Sequence, residues 1–304
     1  MKKLIFALSF AAASAATFTA TQHSVSLAYS PYGKPLVRYE NGFFVAYDPA
    51  DPSVSSFDGS GRPVVQLKLT LPDVYRFQPV DAAVAGDGTI AVPGSAYDSE
   101  GRLVEVIVWV GRDGKIARIV RTSPYAVFKV EFAGDGSLWT VGRVNDESHK
   151  EVSGHDTVRQ YDKAGKLTRS LVSLDTFQPR PHNWHPARGS LLVAGEDRIG
   201  FLSPVAREYI EISLSGGVLG RWRMPAFTDN QHLLNAMIGR DGSLYINVMP
   251  ESGTNALFTL DKATGSFRPV TIDSASWTSL AGGDGNQLLI DLGSGRYAWF
   301  SASK

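Results

Sequence analysis

Short apolar runs of strand type alternate with polar, Gly-centred turns along nearly the whole chain. Residues 104–110 and 116–120 are one such pair, separated by Arg112-Asp113-Gly114-Lys115. Runs this short, rich in Val, Ile, Leu and aromatic residues and bounded by Gly, Asp and Asn, predict β-strands. Helical periodicity is nearly absent. Its best candidate is the stretch 229–238, with Asp229 and Asn230 placed as a helix cap.

The turns recur at a regular interval. Gly42, Gly88, Gly136, Gly189, Gly242 and Gly285 each open a strand-like run, at steps of 46, 48, 53, 53 and 43 residues. Most follow Asn or Asp, a pairing that two-residue hairpins favour because both central residues need positive φ. A second series sits roughly midway, at residues 58–62, 112–115, 163–166, 215–217 and 263–266. Each period thus holds two hairpins, or four strands in ~45–50 residues, the size of a propeller blade.

The expected fold is all-β: a six-bladed β-propeller of four-stranded antiparallel blades. A four-stranded sheet cannot cover both of its apolar faces alone, so such sheets stack around an axis. The sixth period is short, with room for one more strand at 296–301 after the run 288–290. Its missing outer strand is expected from residues 23–28 near the N-terminus, which alternate as a half-buried strand should and would close the ring. Seven blades or an open solenoid are the alternatives.

Composition adds a compartment. Lys2 and Lys3, the apolar stretch 4–13 and Ala13-Ser14-Ala15 follow the order of a cleaved secretory signal, assigned to residues 1–15. Residues 22–304 are expected to form a single propeller domain. The stretch 4–13 is too short to span a bilayer and no later run reaches the ~18 residues needed, so no integral membrane segment is expected after signal removal. The chain has no cysteine, which excludes disulfides, a thiol nucleophile, cysteine-bound zinc and a lipidated cysteine. Export without disulfides fits a bacterial periplasm or exterior. Thirty Lys plus Arg balance thirty Asp plus Glu, and without a basic footprint nucleic acid is not an expected partner.

The turn-and-strand motif Asp-Gly-Ser-Leu-Trp or Tyr, at residues 135–139 and 241–245 with degenerate copies elsewhere, resembles the six-bladed propellers of the NHL-repeat type. That group also contains the streptogramin lyases and the gluconolactonases. The resemblance touches every period, at structural positions, and implies the fold. The lactonases place carboxylate and amide metal ligands at the central pocket, and the lyases depend on a histidine and acidic residues there. Those ligands have no residue-by-residue match in this chain, so the resemblance assigns no site residue.

In a propeller, the turns joining strands 1–2 and 3–4 share one face, here the plain face of short Gly turns. The 2–3 and blade-to-blade loops share the other, around the channel mouth. Its polar stretches are expected at 48–51, 93–101, 143–156, 177–185, 196–207, 227–235 and 249–255. His182, His185, Asp229, Asn230 and His232 fall among them, and their side chains suit one divalent metal ion (Ca, Mg or Zn) or acid–base work. Each also has a plain reading, as a strand terminator or a helix cap. Phe77-Gln78-Pro79 and Phe177-Gln178-Pro179 recur at blade entries, as does Ser-Pro-Tyr at 30–32 and 123–125. The plain reading is a ring packed between blades. The functional one is an aromatic rim of Tyr75, Phe77, Tyr125, Phe177, Trp184 and Phe227 for a sugar or peptide.

No HExxH, GxSxG, P-loop or dinucleotide fingerprint occurs. The favoured function is an exported, non-catalytic binding scaffold for a peptide, glycan or partner protein at the long-loop face. The other is a metal-assisted, lactonase-like hydrolase or lyase with its ion at the channel mouth.

Overall fold

The computed structural model describes residues 16–27, 36–146, 150–177, 189–224, 232–249, 255–274 and 276–302. Among them there is no α-helix, only a 3-10 turn at Leu174–Thr176. β1 (Ala16–Ser26) comes first. β2 (Leu36–Glu40), β3 (Phe43–Asp48), β4 (Ser53–Asp58) and β5 (Pro63–Lys68) form an antiparallel meander. The second meander holds β6 (Val74–Pro79), β7 (Ala83–Val84), β8 (Ile90–Asp98), β9 (Leu103–Val110) and β10 (Ile116–Arg121), with β6 and β7 both pairing β8. The third is β11 (Tyr125–Phe132), β12 (Leu138–Val144), β13 (Asp156–Tyr161) and β14 (Leu167–Ser173). The fourth is β15 (Leu191–Ala194), β16 (Arg198–Ser203), β17 (Glu208–Ser213) and β18 (Val218–Arg223). The fifth is β19 (His232–Ile238), β20 (Leu244–Met249), β21 (Ala256–Asp261) and β22 (Ser266–Asp273). The last is β23 (Ser279–Asp284), β24 (Gln287–Asp291) and β25 (Arg296–Ala302), with β1 antiparallel along β25.

Burial follows strand position. The second strands β3, β8, β12 and β20 are buried over most of their length, being covered on both faces. That is why they read as continuous apolar runs. The outer strands β10 and β18 alternate or lie exposed, as sheet edges do.

Six apolar clusters fill the spaces between sheets. Val45 and Val92 lie between the first and second meanders, Trp109 and Leu138 between the second and third. Trp139 and Phe201 join the third to the fourth, Tyr209 and Ile246 the fourth to the fifth. Phe18, Tyr245 and Leu288 join the fifth to the last, and Val25, Phe44 and Leu289 join the last to the first. Burying one such aliphatic side chain contributes roughly 1.5–3 kcal/mol. The inner strands neighbour one another in the same order, β2 beside β23, β23 beside β19, β19 beside β15, β15 beside β11 and β11 beside β7, and β7 lies beside β3, the second strand of the first meander.

Three expectations are corrected. Residues 232–238 are a strand rather than part of a helix, because their backbone pairs β20 from His232–Met249 to Ile238–Leu244. In the fourth period the first hairpin turn is not at Gly189, which precedes β15. It is at 195–197, where the Gly195 N–H donates to the Arg198 carbonyl at 2.8 Å; half of the stretch 196–207 is therefore β16, and only 204–207, joining β16 to β17, lies at the long-loop face. The turn chemistry also differs. Asn41 and Gly42 both take positive φ, 51° and 86°, whereas at the Asp-Gly turns the glycine alone does, as Gly88 at 87°. There the aspartate acts as an acceptor: Asp87, Asp135 and Asp241 receive the N–H groups of Thr89, Ser137 and Ser243.

Candidate functional site

The inner strands run toward the short turns, so the starts of β6 and β19 and the ends of β12 and β20 mark the long-loop face. Tyr75, near the start of β6, is 86% exposed, the most of any large apolar side chain among the described residues. Val152 in the β12–β13 connection and Met249 at the end of β20 are exposed on the same face. His232 opens β19 there, exposed and opposite Met249 in the ladder. His182, Trp184, His185, Phe227, Asp229 and Asn230 lie outside the described residues.

Phe77, Tyr125 and Phe177 are buried, at 5%, 0% and 0% exposure. Phe77 packs over Gly94 of β8 and Tyr125 over Gly142 of β12, where any β-carbon would strike the ring. The Tyr125 hydroxyl donates to the Thr157 carbonyl at 2.8 Å, and the Arg159 guanidinium lies 3.9 Å from its ring centroid. Phe177 meets Phe201 edge to face at 6.2 Å. At these three positions the recurring aromatic serves packing between sheets.

A cavity of about 410 Å³ lies between the inner strands and opens at the other face, the one bearing the short turns. Successive residues of a strand point to opposite sides. Tyr39 enters the core between the first and last sheets, while Arg38 and Glu40 line the cavity. The Arg38 guanidinium donates to the carbonyls of Ala82 and, at 3.2 Å, Val130. It stands 3.7 Å from Glu40, 3.7 Å from Asp81 and 3.5 Å from Glu131. Asp81 also accepts from the Val130 N–H at 3.0 Å and lies 3.7 Å from the Lys129 ammonium. The facing wall is largely apolar, formed by Leu192, Ala194, Ala236, Ile238 and Ala281, with Asn235 among them donating to the Leu280 and Ala281 carbonyls.

Burial shapes the protonation of this network. It works against the Arg38 charge, but Asp81, Glu40 and Glu131 outweigh it and hold that pKa above the usual value. Burial, and then the charge of Glu40, push the Glu131 carboxyl well above the ordinary glutamate range, with Arg38 opposing. The Tyr47 hydroxyl is pushed up to about 12 by burial and by Asp81. Among the described residues, no three His, Asp or Glu side chains form a group able to hold a metal ion.

Sequence reasoning placed chemistry on the long loops and missed this network. Its signal is present in the chain: Arg38 and Glu40 alternate with Val37 and Tyr39, and Lys129 and Glu131 with Phe128 and Val130. Charges inside strand-type apolar runs mark a strand with one face toward a polar interior.

Four-stranded antiparallel sheets stacked through apolar clusters, with their first strands around a common cavity, define a β-propeller. Neither a family model nor a curated protein sequence matches the chain. Solved structures do. A Bacteroides fragilis protein proposed to be exported is similar over 95% of this chain and 99% of its own, at 10% identity and a TM-score of 0.57. A luciferin-regenerating enzyme is similar over 92% and 95%, at 10% identity and 0.51. Virginiamycin B lyase from Staphylococcus aureus is similar over 92% and 99%, at 14% identity and 0.49. These likenesses concern the fold. No helix among the described residues is long and apolar enough to cross a membrane.

Proposed function

We propose that the protein is an exported, six-bladed propeller that binds a peptide, glycan or partner protein at its long-loop face without chemistry of its own. Each meander is one blade, and β1 is the fourth strand of the last. The six inter-sheet clusters support that count, since the last of them packs the final sheet on the first. Lys2, Lys3, the apolar stretch and Ala13-Ser14-Ala15 support export. Cleavage after Ala15 leaves β1 whole, with Ala16 already in register with Val270 of β22.

Tyr75 carries the binding reading. A ring 86% exposed on a rigid sheet end offers an apolar body with a polar tip, which suits sugar or peptide recognition. Glycan and peptide arrays probed with the purified protein, followed by titration of Tyr75→Ala, test it. Affinity should fall about tenfold or more with the melting curve unchanged. Wild-type affinity in Tyr75→Ala, or no saturable ligand, would refute it.

The position of His232 favours a second reading: a lactonase-like hydrolase or lyase whose Ca, Mg or Zn ion is held by His182, His185, Asp229, Asn230 and His232. An ion bound to the folded state raises the melting temperature, and a chelator removes the gain. His232→Ala should abolish that response. Melts indifferent to ion and chelator would dispose of this reading.

A further inference from the structure

The network at the short-turn face carries unequal charge. Arg38 and Lys129 are positive; Glu40, Asp81 and Glu131 are negative. One excess charge among largely buried side chains is costly unless something neutralises it. Asp81 has the Val130 N–H, Arg38 and Lys129. The Glu40 side chain, only 9% exposed, places Oε1 on the Val84 N–H at 2.9 Å; its Oε2 is buried with no N–H donor on it, and the carboxyl hydrogen-bonds that of Glu131. Both Glu40 and Glu131 line the cavity.

We propose that this cavity binds a small organic cation, an ammonium group on a compact hydrocarbon body, seated on the Glu40–Glu131 pair. The ammonium supplies the N–H donor that Glu40 Oε2 lacks and cancels the excess charge. Leu192, Ala194, Ala236, Ile238 and Ala281 face it with a largely apolar wall suited to the hydrocarbon. At the mouth, Glu196 and Asp284 outnumber Arg240, so the entrance also favours a cation. A volume of about 410 Å³ falls in the ~300–1,000 Å³ range of small-ligand pockets. Two carboxylates without a third ligand suit an organic cation better than a divalent metal ion. The site lies at the opposite end of the inner strands from Tyr75 and does not depend on the rim reading.

Without ligand, Glu131 meets the same imbalance by keeping its proton. The entering ammonium takes the proton's place between two ionised carboxylates, and that proton passes to solvent. Raised protonation of Glu131, from burial and the Glu40 charge, agrees with this exchange. Arg38 on β2 and Asp81 between β6 and β7 act on the pair directly, and behind them Tyr47 on β3 faces Arg38 and Asp81 while Lys129 on β11 faces Asp81.

Isothermal titration of the full protein at pH 7 with n-butylammonium, 1-butanol and butyrate tests the proposal. The cation alone should saturate the site. Its heat should vary with the ionisation enthalpy of the buffer, reporting release of up to about one proton. Glu40→Gln, which keeps an oxygen for Val84, should weaken binding about tenfold or more, and Glu131→Gln should abolish the proton release. Equal binding of butanol or butyrate would overturn the proposal. So would tighter binding of calcium than of butylammonium, or no saturation with butyl-, cyclohexyl- or benzylammonium. Undiminished affinity in a folded Glu40→Gln would do the same. Charge selectivity and proton release are read on the unaltered protein, so the decision does not depend on a variant folding.

Discussion

Phe18 of β1 meets Tyr245 of β20 edge to face, with ring centroids 5.7 Å apart and planes at 86°. The contact adds a core anchor to the first half of β1, which is also held by its ladders to β22 and β25 and, further along, by Val25. Thr17 and Thr19 are exposed, while Phe18 is 1% exposed and packs with Leu257, Val270 and Phe300. One ring thus ties the N-terminal strand to two sheets.

Phe18→Ala is therefore expected to cost about 3–5 kcal/mol, the range for emptying a buried aromatic site. The urea midpoint of the purified protein measures it. Unchanged stability would show that β1 is not part of the cooperative fold.

Gly142→Ala should destabilise by roughly 1–3 kcal/mol or more through overpacking. A β-carbon there would sit 2.7 Å from Tyr125 Cζ and would strike the Ala126 carbonyl oxygen. The companion change Tyr125→Leu should relieve part of that cost in a double-mutant cycle. Purely additive losses would mean that ring and glycine are not coupled.

Much of the fold is legible in the chain because hairpin chemistry is local. Asp135-Gly136-Ser137 shows why: the aspartate caps the turn, the glycine takes positive φ, and Leu138-Trp139 enters a buried strand. The fourth period escapes the same logic. Its turn at 195–197 lacks the Asp-Gly signature, and the nearby Gly189 imitates it one strand too early. The cavity is harder still. Arg38, Asp81 and Glu131 are about fifty residues apart in the chain, and only stacking of three sheets brings them within 4 Å contacts of one guanidinium. No motif spacing encodes that meeting. The aromatic recurrence admits two readings in the chain, and the burial of Phe77 and Tyr125 against glycines of a paired strand agrees with the packing one.

A second buried charge ties the fourth sheet to the fifth. Glu211 is 1% exposed and accepts from the Tyr209 hydroxyl at 2.7 Å, with Lys262 at 2.5 Å and Arg198 at 3.1 Å. Glu211→Ala leaves two cations facing each other and the Tyr209 hydroxyl without that acceptor. A loss of about 3–5 kcal/mol is expected in chemical denaturation. A loss below ~1 kcal/mol would mean that water replaces the carboxylate at little cost.

Stability should also depend on pH through Glu131. Its folded carboxyl titrates well above the ordinary 4.5, chiefly because of burial and then the Glu40 charge. Below that ordinary value the group is protonated in both folded and unfolded chains, and its contribution is fully present. Above it the unfolded chain loses the proton while the folded chain keeps it, so the native state binds more protons and stability falls as pH rises, until the folded value is passed. Asp58, lowered to about 2 mainly by its hydrogen bond from Ser60, acts in the reverse sense, but only as pH falls below the ordinary aspartate range. Its exposure leaves it screened. Melting temperature should therefore decline in the wild type as pH rises above the ordinary glutamate range, and the decline should flatten in Glu131→Gln, which cannot ionise. Glu40→Gln should flatten it in part, because one of the charges that raises Glu131 is gone. Parallel wild-type and Glu131→Gln curves would mean that Glu131 ionises on folding like any surface glutamate, and that the buried network tolerates its full negative charge.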